Sequence, residues 1–253
     1  MQVLVVDPDP RMQRSLSEGL RQPWSGAQVL CAGTGEGGLQ LFRRHRPDVV
    51  LLATALPDGL AFDILREIRR VSDAPVLLLA DNNADADQIL GLQLGADDYV
   101  VQPVSAVVLA ARINAVLRRG AFLRPGNGQV DFQAGPLSMS FRKQEVTVAG
   151  VPVALTPLEF QLLHHLVRRA GEVVTSEELL DHVWGREYGA TTKYLKVFIN
   201  RLRSKLARAG TGRWIETKRG VGYRFVDATR DAGSVVGDAS RDSVTLEPGG
   251  PNG

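Results

Sequence analysis

The residues of this 253-residue chain with the clearest chemical purpose are cations. The stretch Thr191 to Arg224, TTKYLKVFINRLRSKLARAGTGRWIETKRGVGYR, holds ten of them: Lys193, Lys196, Arg201, Arg203, Lys205, Arg208, Arg213, Lys218, Arg219 and Arg224, against one acid, Glu216. Leu195, Val197, Phe198, Ile199, Leu202 and Leu206 are interleaved among them at spacings of three and four, the buried stripe of a helix. Thr192, Lys193, Lys196, Asn200, Arg201 and Arg203 then fall on the opposite face, and a glycine-rich hairpin follows with more cations. A helix that docks on its own domain by one face and offers cations on the other suits a nucleic-acid groove. A second set of polar residues follows the first apolar run, where VLVV leads into Asp7-Pro8-Asp9.

The elements that position these groups fall into two regions. In the first, apolar runs at Val3–Val6, Val29–Ala32, Val49–Leu52, Val76–Leu79 and Tyr99–Val101 predict strands. Amphipathic segments at Arg11–Arg21, Gly37–His45, Phe62–Val71, Ala86–Leu94 and Ala106–Arg119 predict the helices between them. Strands apolar on both faces are covered on both faces, which implies a parallel, doubly wound α/β sheet of five strands. Ligands of such sheets bind beyond the carboxyl ends of the strands, so Asp7–Pro10, Ala53–Leu56, Ala80–Asn82 and Gln102–Pro103 are the positions to question. Gly33-Thr34-Gly35-Glu36-Gly37-Gly38 fits the dinucleotide fingerprint. It follows the second strand rather than the first, however, and Leu52-Ala53 stands where an acidic residue would be needed, so it reads as a turn and a helix start.

VLVVDPDP, RPDVVLLATALPDG, APVLLLA and GADDYVVQP resemble the receiver domain of bacterial two-component response regulators, over about residues 1–119. The resemblance implies a flavodoxin- and CheY-like fold. It also implies a strand-end aspartate that accepts a phosphoryl group, an acidic pair that holds Mg²⁺, and a hydroxyl and a lysine that contact the phosphoryl. The chain departs from that pattern at each place. Ala53 occupies the acceptor slot, Pro8 separates Asp7 from Asp9 where a metal ligand is usual, Ala80 replaces the hydroxyl and Gln102 the lysine. These changes remove the nucleophile, a cation ligand and the counter-charges. The expectation is a receiver without phosphoacceptor, metal or cofactor, which argues against a histidine kinase as partner.

In the OmpR/PhoB-type subfamily, receivers dimerise through the fourth helix, fifth strand and fifth helix. Ile89, Leu92 and Ala110 match the apolar patch there. Asp98 and Arg119 match one charge pair, Arg112 faces Leu94 in place of an acid, and Val108 with Gln88 replaces a third pair. Exposed ion pairs contribute only about 0–1 kcal/mol each, so a homodimer formed without phosphorylation is expected.

Residues 120–129, with Arg124-Pro125-Gly126-Asn127-Gly128, read as a linker. Beyond it, Leu137–Phe141, Glu145–Val148 and Val151–Leu155 predict a small antiparallel sheet. Thr156-Pro157-Leu158-Glu159 opens a helix with a capping box, and Ser176-Glu177-Glu178 caps a second. With the basic helix and hairpin these make an α+β winged helix-turn-helix over residues 130–226. LTPLEFQLL, VVTSEELLDHVWG, INRLRSKL and IETKRGVGYRF resemble the OmpR/PhoB-type effector domain. That resemblance implies double-stranded DNA as partner. It places Asn200 and Arg201 where bases are read, and Arg219 at the wing tip near a minor groove. Arg pairs bidentately with guanine and Asn with adenine. Thr192, Lys193, Lys196, Arg203 and Lys218 would hold phosphates, which fixes position rather than sequence. The loop Gly185–Ala190, with Arg186 and Glu187, lies where the family contacts RNA polymerase.

Charge divides along the same lines. Residues 1–119 hold 12 Lys/Arg and 14 Asp/Glu, residues 120–226 hold 16 and 9, and residues 227–253 hold 2 and 5. The positive field thus belongs to the second region, and the small, polar, acidic tail 227–253 is expected to be disordered. No stretch approaches the about 20 apolar residues of a membrane span. The N-terminus lacks the pattern of a signal peptide, so a cytoplasmic protein is expected. The single cysteine, Cys31, rules out an internal disulfide and reads as core filler. The reading is a DNA-binding transcription regulator, not an enzyme, with a phosphorylation-independent receiver as its dimer platform. The alternative is a transcription factor that senses a ligand in the altered receiver pocket.

Overall fold

The computed structural model describes residues 1–21, 24, 26–82, 84–121, 131–185, 192–210 and 212–226. The chain begins with β1 (Gln2–Val6), α1 (Pro10–Arg21), β2 (Gln28–Ala32), α2 (Gly35–His45) and β3 (Val49–Ala53). A two-stranded ribbon, β4 (Ala55–Leu56) and β5 (Gly59–Leu60), leads to α3 (Ala61–Val71), β6 (Val76–Ala80), α4 (Asp85–Leu94), β7 (Asp98–Val101) and α5 (Ala106–Ala121). Five strands pair in parallel in the order β2-β1-β3-β6-β7.

The period-two alternation of each strand divides the core. Leu4, Val6, Val50, Leu52 and Leu78 pack with Phe42, Leu65 and Leu92 of α2, α3 and α4. Val3, Val5, Leu51, Leu77 and Val100 pack with Leu16, Leu20, Leu109 and Ile113 of α1 and α5. The doubly wound fold is therefore as expected. Cys31 is a correction: it is exposed, on the edge strand β2, with its Sγ 3.5 Å from Ser17 Oγ.

The second region forms a four-stranded antiparallel sheet from β8 (Phe132–Ala134), β9 (Leu137–Ser140), β10 (Glu145–Val148) and β11 (Val151–Pro152). It continues through α6 (Pro157–Arg168), β12 (Val173–Thr175), α7 (Ser176–Trp184), α8 (Thr192–Ala209), β13 (Ile215–Lys218) and β14 (Gly222–Phe225). The capping box at α6 is formed: Thr156 Oγ1 accepts from the Glu159 amide, and Glu159 Oε2 accepts from the Thr156 amide at 2.9 Å. For α7 the cap is Thr175, one residue before the expected Ser176; its hydroxyl accepts from Glu178 N at 3.1 Å.

β12 joins the hairpin as a third strand in the order β12-β14-β13, a pairing the sequence did not indicate. Gly222 makes it possible, since a Cβ there would lie 2.0 Å from the Val174 carbonyl oxygen. Trp184, Trp214, Tyr223 and Phe225 are buried, as the alternation of the last two with Arg224 implied. Among the described residues no helix is long and apolar enough to cross a membrane.

Candidate nucleic-acid interface

The carboxyl ends of β1, β3, β6 and β7 bring Asp7, Ala53, Ala80 and Gln102 together, and the Gln102 amide donates to Ala80 O at 2.7 Å. Asp7 is 5% exposed. Burial pushes its carboxyl above the ordinary value, and the nearby Asp9 and Asp81 charges add to this, while a bond from the Asp9 amide at 2.9 Å opposes it. Asp9 is paired with Arg11 at 3.2 Å, and hydrogen bonds from Arg11 hold its carboxyl below the usual range. Mg²⁺ demands near-octahedral oxygen coordination. Ala53 and Pro8 offer no side-chain oxygen, one Asp7 oxygen is taken by an amide and Asp9 by a guanidinium. These residues do not fit the cation, and Ala53 does not fit a phosphoryl group.

The glycine-rich turn has a structural explanation. Asp58 places its two carboxylate oxygens on the Gly35 and Glu36 amides at 2.8 and 2.9 Å, and the Thr34 side chain accepts from Gly37 N. The start of α2, where a phosphate would otherwise be held, is thus closed by the chain's own carboxylate. A Cβ at Gly38 would lie 2.7 Å from Val6 Cγ2, so that glycine serves helix–strand packing.

On the α4–β7–α5 face, Ile89 is half-buried, Leu92 and Ala110 are buried, and Val108 is 45% exposed. Asp98 corrects an expectation. Its carboxylate is 1% exposed and lies 3.2 Å from Arg112 of the same chain, so the two residues assigned to separate charge pairs pair with each other. The Arg119 side chain lies outside the described residues, as do Arg186, Glu187, residues 122–129 of the expected linker and the tail from 227, while residues 120 and 121 belong to α5.

The basic stretch folds into α8 and the wing. Leu195, Val197, Phe198, Ile199, Leu202 and Leu206 are buried, whereas Thr192, Lys193, Lys196 and Asn200 are exposed. Lys196, Asn200, Ser204 and Arg208, four apart, line one wall of an open cleft. Arg219 is exposed at the wing turn, where Gly220 adopts φ +73° and Val221 N donates to Lys218 O at 3.0 Å. Lys218 sits 3.1 Å from Glu216, which also receives Arg224 at 2.8 Å.

Arg203 is a correction. It donates to Ile215 O at 3.1 and 2.9 Å and to Thr217 Oγ1 at 2.9 Å, and stacks over Tyr223 at 5.9 Å. It braces the wing against α8 and is not an open phosphate-holder.

Arg201 is the larger correction. Helical spacing puts it on the open cationic face, but its side chain is only 10% exposed. Its guanidinium lies 2.8 Å from Glu159 Oε1, 5.0 Å over the Phe198 ring, and donates from Nη1 to Leu92 O and Ala96 O, each at 3.1 Å. These last two oxygens belong to the receiver, whose α4 lies along α8 while α5 lies against α6. Lys193 Nζ meets Asp85 at 2.7 Å, and Tyr194 donates its hydroxyl to Gln88 Oε1 at 2.9 Å. Lys205 bonds Glu159 at 2.7 Å and lies 4.0 Å from Asp73. Beneath these, Arg69 pairs with Asp97 at 2.8 Å. Sequence reasoning missed Glu159, Lys205, Gln88 and Tyr194 as members of one site. Glu159 was legible only as a capping residue, because its other partners come from a distant helix.

Two family descriptions match the chain: a response regulator receiver domain over residues 3–114, and a transcriptional regulatory protein C-terminal domain over residues 150–225. The sensory transduction protein RegX3 of Mycolicibacterium smegmatis is 39% identical over 226 residues, covering 88% of this chain and 98% of its own. The transcriptional regulatory protein AfsQ1 of Streptomyces coelicolor is 39% identical over 224 residues, covering 88% and 97%. Among solved structures, a point mutant of RitR superimposes with a TM-score of 0.70 at 27% identity, over 88% of this chain and 98% of its own.

Proposed function

Because the chain belongs to the OmpR/PhoB-type response regulators, we propose that it is a sequence-specific transcription regulator that binds double-stranded DNA as a homodimer without phosphorylation. The observation that carries the DNA reading is the exposed row of Thr192, Lys193, Lys196 and Asn200 on a helix whose opposite face is fully buried, with Arg219 exposed at the wing. An α-helix of this kind fits the major groove, about 12 Å wide. Asn200 reads base edges there, Lys193 and Lys196 hold phosphates, and Arg219 reaches the adjacent minor groove. Contact with RNA polymerase through Arg186 and Glu187 belongs to the same reading.

The phosphorylation-independent part rests on Ala53. Phosphoryl transfer needs a nucleophile and a charge-neutralising cation, and neither fits the pocket. Dimerisation would use the α4–β7–α5 face, where Val107 and Val108 of α5 are 80% and 45% exposed. The test is to treat the full chain with acetyl phosphate and Mg²⁺, follow it by intact mass, and measure its affinity for a duplex selected from a random pool. No mass gain and an unchanged Kd are expected. Phosphate incorporation with tighter binding would refute the reading. Light scattering across a concentration series tests the dimer.

A further inference from the structure

Arg203 gives its donors to neutral acceptors. Nε and Nη2 both point at the Ile215 carbonyl oxygen, at 3.1 and 2.9 Å, and Nη2 also reaches Thr217 Oγ1 at 2.9 Å. The guanidinium carbon lies 5.9 Å from the centre of the Tyr223 ring. Burial pulls the Arg203 pKa below its ordinary value, and Tyr223 opposes this. These partners mark one rung of the hairpin. Thr217 stands opposite Tyr223, and the next rung, Lys218 opposite Gly222, leads into the turn that carries Arg219. Strands rise about 3.3 Å per residue, so the grip on Thr217 falls about 7 Å along the chain from Arg219. Among the described residues, every hydrogen bond from α8 to the hairpin comes from Arg203. The backbone of α8 comes less close to β13 and β14 than to α6 and α7. A cleft of about 720 Å³ opens between Thr192 and Lys196 of α8 and Thr217, Lys218 and Val221 of the wing. Another, of about 470 Å³, is lined by Arg203 itself with Leu206, Ala207 and Trp214. A single side chain thus spans a gap that other side chains leave open.

We propose that Arg203 is a positioning residue for DNA recognition: it fixes the distance from α8 to the wing tip, so that Asn200 in the major groove and Arg219 in the minor groove engage one duplex together. This inference rests on the DNA-binding reading and adds how its two contacts are coupled. Adjacent grooves of a duplex lie at a set separation, with one sugar–phosphate strand between them. The cleft between Lys196 and Lys218 gives that strand its path. A tip already held at that separation binds without the loss of freedom that ordering a loose tip would cost. The brace also requires arginine. Lysine keeps the charge and holds a phosphate as a point donor, but it lacks the planar fork that brings two nitrogens onto Ile215 O and one of them onto Thr217. Exchange for lysine therefore separates a brace from a phosphate-holder.

The experiment measures the full chain by fluorescence anisotropy on two duplexes. Both carry the sequence that the wild-type protein selects from a random pool, and they differ only under the wing, where one has an A-tract with a narrow minor groove and the other G·C pairs. The readout is the ratio of the two affinities, which a general loss of binding does not move. The wild-type chain should favour the A-tract by about 5- to 150-fold, the range of one specific arginine contact. Arg219→Ala should bring the ratio near one. Arg203→Lys should do the same with Arg219 still in place, and adding it to Arg219→Ala should change neither affinity by more than about twofold, since coupled residues do not act additively. Thr217→Val, which keeps the branched shape and removes one acceptor, should lower the ratio part of the way, and it carries the test if Arg203→Lys fails to fold. A wild-type ratio in folded Arg203→Lys or in Thr217→Val overturns the proposal, and so do additive losses in the double variant. If the wild-type chain recovers a duplex but shows no A-tract preference, the DNA-binding reading stands and the coupling falls. If it recovers no duplex at all, the DNA-binding reading itself has failed and the positioning role falls with it.

Discussion

The Asp97 carboxylate lies 2.8 Å from the Arg69 guanidinium, with the carboxylate wholly buried and the guanidinium 11% exposed. Asp97 also accepts the Val76 amide at 3.0 Å, and Arg69 donates to Gly95 O at 2.8 Å and Ala74 O at 2.6 Å. The pair ties α3 to the edge of β6 and to the turn that presents Ala96 O to Arg201. Removing one member leaves the other charged and dry. Asp97→Ala is expected to destabilise the receiver by about 3–5 kcal/mol, measured by urea denaturation. A loss below about 1 kcal/mol would show that Arg69 finds water or another acceptor, against the cost expected for an unpaired buried charge.

Gly222→Ala should damage the wing. The added methyl would meet the Val174 backbone oxygen at 2.0 Å, and backbone cannot swing aside as a side-chain end can. Separation of β12 from β14 is expected, with a cost of about 1–3 kcal/mol and weaker binding to every DNA sequence. Thermal melting and anisotropy on selected and random duplexes check this; an unchanged melting temperature would mean that the sheet shifts at no cost.

His164 should set part of the acid response. It packs edge-on against Phe141 at 4.4 Å and beside Phe160. Burial, with Arg168, His182 and His165 nearby and only Asp131 opposing, pushes its pKa from 6.5 down to about 4. Between those values the unfolded chain binds a proton that the folded chain does not, so this group's contribution to stability is full above about 6.5 and is lost as pH falls toward about 4. Replacement by Gln, His164→Gln, should flatten the stability profile across that window, as read from denaturant midpoints. Identical slopes for both proteins would assign the acid response elsewhere.

Lys196 and Arg219 should separate on DNA. Lys196 is exposed on α8 and ion-paired to nothing among the described residues. Lys196→Ala should weaken all sequences alike and reduce the salt slope by about 1. Arg219→Ala should cost about 1–3 kcal/mol and act mainly where the minor groove is narrow. Equal losses on selected and random duplexes for both variants would contradict the division of roles.

Much of the fold was legible because it is written in short-range periodicities. Strands apolar on both faces required a doubly wound parallel sheet, and the Thr156–Glu159 capping box marked the start of α6 to the residue. The strands that were missed, β4, β5, β8 and β12, are two or three residues each, too short to show a period, and β12 exists as a strand only because β14 pairs with it. Cys31 was misplaced because alternation does not tell an edge strand from a central one.

By itself the sequence determined which side chains can do chemistry. Ala53 cannot take a phosphoryl group in any conformation, and the stripe from Leu195 to Leu206 fixes which side of α8 is dry. Tertiary structure decided what those side chains are doing. Arg201 and Arg203 look alike in the sequence and stand two positions apart, yet one grips the receiver and the other braces the wing. The physical reason is that helical spacing sets the direction of a side chain, whereas its partners come from elements far away in the chain. Glu159 and Ile215 reach these arginines only once the second domain has folded, and Leu92 and Ala96 only once the receiver has docked on it.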